Sequence, residues 1–337
     1  MLLIRVDRVN MKVFITGIGS DLGTQIASLL EQRPTVTAIA GVDMYPPRRY
    51  LARSRFFMSR YDDSERIAEV IINFSPDVII NFGVYEPGAR LNSLRALNAT
   101  QACTTGIIHA VKEISTDHDV HVITRSSVVV YGFSNSHTHD ETSPLSPDTP
   151  YGKMCRDVEE ELTNKIPYVT IIRTAPEIGA HVPHPLARLL TLPAFPVQAR
   201  LPFSRDIGFP IISPRDAIEI FVRAAMEVPR EDVRHRVLHA ACSNNATMMM
   251  AAREGNRIPL FTSGVGFALA KRLSFIAGAP IDPHVEMFIR RGMIVDSTST
   301  RMYLGITSQD SPTEIIKDLY SGAENIVDSS SAAEVPK

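Results

Sequence analysis

The sequence predicts an α/β fold, a doubly wound parallel sheet with a smaller carboxyl-terminal lobe. Three observations carry that prediction. Short apolar runs alternate with stretches of helical period from Val13 to Arg173, the first run leads into glycines at 17, 19 and 23, and the second run ends on an acid, Asp43. A chain of 337 residues is long for one compact unit, so two lobes around a cleft are expected.

Val13 to Thr16 reads as a strand, and Leu22, Ile26, Leu29 and Leu30 then share one face of a helix at the 3.6-residue period. Glycines at such a turn let the backbone approach a ligand, while the free N–H groups and the positive end of the helix dipole suit a pyrophosphate. Val36 to Val42 is a second buried strand. It ends on Asp43, about 20 residues past the last glycine, where a carboxylate can hold the ribose hydroxyls of NAD. Together these make a Rossmann-type dinucleotide unit, although the glycines do not keep the G-x-G-x-x-G spacing. The plain alternative is an ordinary strand-helix-strand unit with a tight turn. Arg48 and Arg49 in the next loop favour a 2'-phosphate and so NADP, whereas the charge of Asp43 repels one, which makes NAD the expected cofactor.

Phe56 to Met58 is expected as a third strand, followed by Asp62, Asp63 and a helix from Glu65 to Phe74. A fourth strand runs through Asn81, Phe82 and Gly83. A long helix from Leu91 to Glu113 carries Asn98, and His121 to Thr124 forms the fifth strand. Strands that alternate with helices at this spacing form a parallel sheet covered on both faces, and ligands of such sheets sit at the carboxyl ends of the strands.

At the end of the fifth strand stands Ser126-Ser127-Val-Val-Val-Tyr131-Gly132, then a polar loop with Asp140-Glu141, then Pro150-Tyr151-Gly152-Lys153 opening a helix through Glu159 and Leu162. Val169-Thr-Ile-Ile-Arg173, Gly179 and Ile211-Ile-Ser-Pro-Arg-Asp216-Ala follow. In this order and spacing, over most of the chain, the motifs resemble the extended short-chain dehydrogenase/reductase family, the NAD-dependent epimerase/dehydratase type. The resemblance implies that Ser127 orients a substrate, that Tyr151 is the general acid/base, and that NAD contacts Gly17, Gly19, Ser20, Asp21, Leu22, Gly23, Asp43, Asp62, Phe82, Gly83, Asn98 and Tyr151. Asp62 aligns only with a small shift. It also implies a homodimer through the family's fourth and fifth helices.

Two positions depart from the family pattern. A tyrosine with a pKa of about 10 is a poor base at neutral pH and needs a neighbouring cation. The family places a lysine one helical turn past the tyrosine; here that residue is Cys155, and neither Lys153 nor Arg156 lies on the same face. Tyr151 could then stack on the nicotinamide ribose without proton transfer, and Ser127 could simply satisfy its own backbone. Cys155 reads as a small buried residue in preference to a reactive thiol. In the glycine turn, Ser20 stands where the family has its middle glycine. If that backbone needed positive φ, the serine would cost about 1 kcal/mol. The resulting expectation is an NAD-dependent epimerase, dehydratase or dehydrogenase acting on a hydroxylated small molecule, possibly a nucleotide sugar. The alternative is a non-catalytic NAD-binding regulatory or scaffolding protein.

Lys plus Arg number 35 against 37 Asp plus Glu, so no nucleic-acid partner is expected. No apolar run approaches a membrane span, and no membrane partner is expected. Cys103, Cys155 and Cys242 are too few and scattered for a disulfide framework or a zinc knuckle, which suggests a cytoplasmic setting. Residues 11–180 are read as the dinucleotide-binding domain, with 207–240 returning to it and 181–320 forming mainly the substrate lobe. Residues 1–10, ahead of a natural start at Met11, and 321–337 are read as flexible termini. Helices are expected at Asp216–Glu227, Val265–Phe275 and Pro283–Arg291. Arg188, Arg200 and Arg205 could clamp a phosphate, though loop arginines in solvent are the simpler reading. His137, His139 and Asp140 suggest a metal cluster but lack a further ligand at metal spacing, so no metal is expected.

Overall fold

The computed structural model describes residues 10–331, except 89–90, 135, 181, 199–205, 228–232 and 263–264, with side chains described to residue 321. Five strands open the chain: β1 (Met11–Thr16), β2 (Val36–Asp43), β3 (Ser54–Met58), β4 (Val78–Asn81) and β5 (His121–Ser127). Strands Tyr168–Thr174 and His235–Ala240 complete one seven-stranded sheet, which runs His235–Ala240, Tyr168–Thr174, β5, β4, β1, β2, β3. Every pairing is parallel. The order reverses between β1 and β4, the switch point where sheets of this type hold ligands. A sheet covered on both faces needs apolar residues at consecutive positions, and β4, Val78-Ile-Ile-Asn81, is buried throughout.

Four helices cover the first half: α1 (Asp21–Leu30), α2 (Ser64–Phe74), α3 (Ser93–Ile114) and α4 (Pro150–Lys165). α3 buries Ala96, Ala99, Cys103, Ile107, Ala110 and Ile114, a stripe at three- and four-residue steps, and begins on Asn92, whose side chain accepts from Arg95 N–H. α4 begins on Thr149, which accepts from Gly152 N–H, with Pro150 in the first turn where its missing N–H costs nothing. Its inward row is Tyr151, Cys155, Val158, Glu159 and Leu162, so one face delivers a phenol, a thiol and a carboxylate toward β5.

The chain returns to the sheet through helix Pro214–Met226, where Phe221 meets Phe82 at 4.7 Å between ring centroids. Burial of each ring contributes about 1.5–3 kcal/mol. Beyond it, strand Ile258–Thr262 pairs in parallel with Ala194–Gln198, and helices Val265–Ile276 and Pro283–Arg290 follow. The last helix, Pro312–Ser331, runs past Ser321, where the sequence shows no helical period. No helix among the described residues is long and apolar enough to cross a membrane.

Candidate functional site

The glycine turn is organised by three backbone facts. Gly17 has φ +77°, and a side chain there would also press on Phe82 Cβ at 2.9 Å. A Cβ at Gly23 would lie 2.3 Å from Gly17 O, so the helix can approach the strand only with glycine at this position. Ser20 carries no strain: its φ is −67°, and it serves as the N-cap of α1. Its hydroxyl donates to Gly17 O at 2.7 Å and accepts from Gly23 N–H at 3.0 Å. The expected cost of serine in place of glycine is therefore absent, because positive φ falls three residues earlier.

The amides of Asp21 and Leu22, in the first turn of α1, take no acceptor among the described residues. Free first-turn N–H groups at the positive end of a helix form a phosphate cradle. Asp43 ends β2 beside them. Its carboxylate accepts from Gly19 N–H at 3.0 Å, Met44 N–H at 2.6 Å and Tyr45 N–H at 3.4 Å. Burial outweighs these bonds and raises the Asp43 carboxyl above the usual range. Oδ2 takes only the Gly19 bond among these three, which leaves that oxygen capacity to accept from a ribose hydroxyl. The turn and Asp43 thus fit the adenosine and pyrophosphate of a dinucleotide. Tyr61 and Tyr85 stack edge to face at 5.2 Å near Asp43, an aromatic wall that the sequence motifs do not mark.

Asp62, Asn98, Phe82 and Gly83, also implied for cofactor contact, stand outside the glycine turn itself. Asp62 is exposed and ion-paired with Arg60 at 3.1 Å. Asn98 lies on the solvent face of α3. Phe82 is buried against Phe221, and a Cβ at Gly83 would meet Cys103 Sγ at 2.1 Å, so both positions pack the core behind the turn. Asp21 sits at the mouth of the turn, bonded to Gln25 at 2.8 Å, while Leu22 is buried. An open groove of about 1070 Å³ lies between α1, Pro214–Met226 and Pro312–Ser331; it reaches the turn through Asp21 and is lined by neither Asp43 nor Tyr151. Arg188 bonds Gly278 O at 2.9 Å, and Arg200 and Arg205 lie outside the described residues.

Tyr151 and Ser127 come from α4 and the end of β5. Ser127 Oγ takes Val129 N–H only at 3.5 Å, which leaves most of its bonding capacity open. Tyr151 is buried, one helical turn before Cys155, and packs on the His284 ring at 5.0 Å. Desolvation first, then Cys155 and Glu86, push its pKa well above the usual value, and only the Arg125 guanidinium pulls it down. Burial pushes the Cys155 thiol up as well. Lys153 is exposed and Arg156 pairs with Asp157 at 2.6 Å, so neither substitutes for the family's lysine. Arg125, two residues before Ser127 on the same face of β5, is the cation that stands against Tyr151 and Cys155. Its Nη2 is 3.6 Å from Glu177 and 3.9 Å from Glu86.

Glu86, just past β4, gathers two histidines from distant parts of the chain. His284 Nε2 lies 2.8 Å from its Oε1 and His184 Nε2 3.1 Å. His184 Nδ1 accepts from Leu186 N–H, which leaves Nε2 to donate to the carboxylate. Burial alone would raise the Glu86 carboxyl, but the two histidines outweigh it and hold it well below the usual range. A depressed carboxyl pKa gives stability that is present above the unfolded value and lost as pH falls through the folded one. Glu86→Gln should therefore cost about 1.5–3 kcal/mol at pH near 7, and urea melts should show the gap to wild type narrowing as pH falls below about 4.

Behind this site, Glu159 bonds Ser126 Oγ at 2.5 Å and Arg173 through Nε at 3.0 Å and Nη2 at 2.6 Å. Arg173 Nη1 donates to Tyr131 Oη at 2.6 Å, and that hydroxyl meets His239 Nε2 at 2.6 Å. The Tyr131 of the Val-Tyr-Gly run is therefore a strut that ties the end of β5 to strands Tyr168–Thr174 and His235–Ala240 of the same sheet. Among the described residues no group of three or more His, Cys, Asp or Glu could hold a metal.

A family profile described as the RmlD substrate binding domain matches residues 11–256. No curated protein matches the sequence. Solved structures similar to this chain include a UDP-glucose-4-epimerase from Stenotrophomonas maltophila with bound NAD and formylated UDP-arabinopyranose. That protein is 15% identical with a TM-score of 0.71, over 95% of this chain and 100% of that one. The enzyme WbmH of Bordetella bronchiseptica, in complex with NAD+, is 14% identical with a TM-score of 0.69, over 93% and 98%. A UDP-glucuronic acid 4-epimerase from Bacillus cereus, in complex with NAD, is 15% identical with a TM-score of 0.66, over 94% and 99%. With well over half its length inside the profile, and with this sheet order, the chain belongs to the RmlD substrate-binding-domain family, within the extended short-chain dehydrogenase/reductases of NAD-dependent epimerase/dehydratase type.

Proposed function

We propose that this chain binds NAD between the glycine turn and Asp43 and acts on a hydroxylated small molecule of the nucleotide-sugar class, as an epimerase, dehydratase or dehydrogenase. One observation carries the reading: the two unengaged amides of Asp21 and Leu22 open beside a turn that admits no side chain at Gly17 or Gly23, with Asp43 at the end of the next strand. NAD is preferred to NADP because Asp43 repels a 2'-phosphate. When bound, NAD supplies hydride exchange at a hydroxyl-bearing carbon. Ser127 orients the substrate, Tyr151 exchanges its proton, and Arg125 is the permanent cation that offsets part of the upward push on the phenol in the absence of the lysine. The substrate class rests on the UDP-sugar ligand of the Stenotrophomonas relative.

A second reading, a non-catalytic NAD-binding regulatory or scaffolding protein, is favoured by the raised Tyr151 phenol and by Cys155 standing where the family has its lysine. Product analysis with NAD and a panel of UDP-sugars separates the two. The enzyme reading expects product from wild type, more from Cys155→Lys, and a loss of about 10²–10⁴-fold in Tyr151→Phe. Absence of product from both wild type and Cys155→Lys would leave the binding protein.

A further inference from the structure

Helix Val265–Ile276 is turned inside out. Its inward face is small, with Phe267, Ala270 and Ser274 buried, while the outward face carries Val265 at 87% exposure, Leu269 at 60%, Leu273 at 53%, Phe275 at 70% and Ile276 at 73%. Phe261, on strand Ile258–Thr262 just before it, is 65% exposed. Six large apolar side chains from so short a stretch exceed the scattered exposure normal for a soluble surface, and such a patch marks an interaction site.

Charge and shape select the partner. From Ile258 to Ile276 the sequence holds Lys271 and Arg272 and no carboxylate. Lys271 is paired with Glu286 at 2.8 Å. Arg272 is exposed among Leu269, Leu273 and Ile276 and makes no ion pair among the described residues. A two-fold contact with a second copy would press two such cations into apolar surface with no acid in the segment to meet them. Side chains 53–87% exposed also stand proud of the surface. A flat protein partner would touch only their tips, whereas acyl chains can surround them while an arginine reaches a headgroup phosphate.

We propose that this helix and the strand before it form a peripheral docking surface for a membrane with anionic lipids. The apolar side chains enter the boundary between headgroups and acyl chains, and Arg272 engages lipid phosphate. No helix need cross the bilayer. The test is flotation of the full chain with phosphatidylcholine vesicles, with and without phosphatidylglycerol. Wild type should float with the anionic vesicles, and the double variant Leu269→Gln/Phe275→Gln should lose roughly tenfold or more in binding. Arg272→Gln, a single change at an exposed position, should weaken anionic binding and is the safeguard if the double variant fails to fold. Failure of wild type to float with either vesicle, or equal flotation of the variants, would overturn the proposal. So would a dimer in sedimentation velocity that the double variant dissolves in a protein that ignores lipid.

Discussion

Arg173→Met should destabilise the protein by about 3–5 kcal/mol, the usual cost of removing one partner from a buried ion pair. Arg173 and Glu159 side chains are 6% and 4% exposed. Methionine fills the space but leaves the Glu159 carboxylate with the Ser126 hydroxyl as its remaining side-chain donor among the described residues. It also removes the N–H that steadies Tyr131, so His239 loses part of its anchor to β5. Equilibrium urea unfolding measures the loss. The double variant Arg173→Met/Glu159→Leu should recover much of it, because replacing both charges by apolar groups removes the uncompensated anion.

Gly23→Val should reduce NAD affinity by on the order of 10²–10⁴-fold. The branched side chain would begin 2.3 Å from Gly17 O, a backbone atom that cannot swing aside. Either the turn or the first turn of α1 must move, and the Asp21 and Leu22 amides then no longer converge. Two charge-assisted hydrogen bonds at about 1.5–3 kcal/mol each set the size of the loss. Asp43→Asn, which keeps the shape and removes the charge, should weaken NAD by roughly tenfold and leave the fold intact.

The first half of the fold is legible in the chain because each of its signals is local. The apolar run Val13 to Thr16, the glycines and the helical stripe from Leu22 to Leu30 lie within a few turns of one another, and they became β1, the turn and α1. The condition attached to Ser20, a cost only at positive φ, could not be decided from the chain, because its role depends on Gly17 O and Gly23 N–H, partners whose geometry a residue pattern does not encode. Asp62 pairs with a neighbour, Arg60, two residues away, a contact that the motif spacing does not encode. The charge around Tyr151 could not be read at all. Glu86 meets His284 across 198 residues of chain, and Arg125 enters the site only because β5 packs beneath α4. One cue was available: an arginine inside a strand central to a covered sheet, two residues before Ser127, must find carboxylates when buried.

The central claim is that the amino-terminal half grips an adenine-linked cofactor at Gly17 to Gly23 and Asp43. Isothermal titration of wild-type protein with NAD and with NADP tests it most directly. One site for NAD, weaker binding of NADP, and collapse of the NAD signal in a folded Gly23→Val variant would bear it out. A heat-silent titration with both dinucleotides at millimolar concentration, or NAD binding that Gly23→Val leaves untouched, would contradict it.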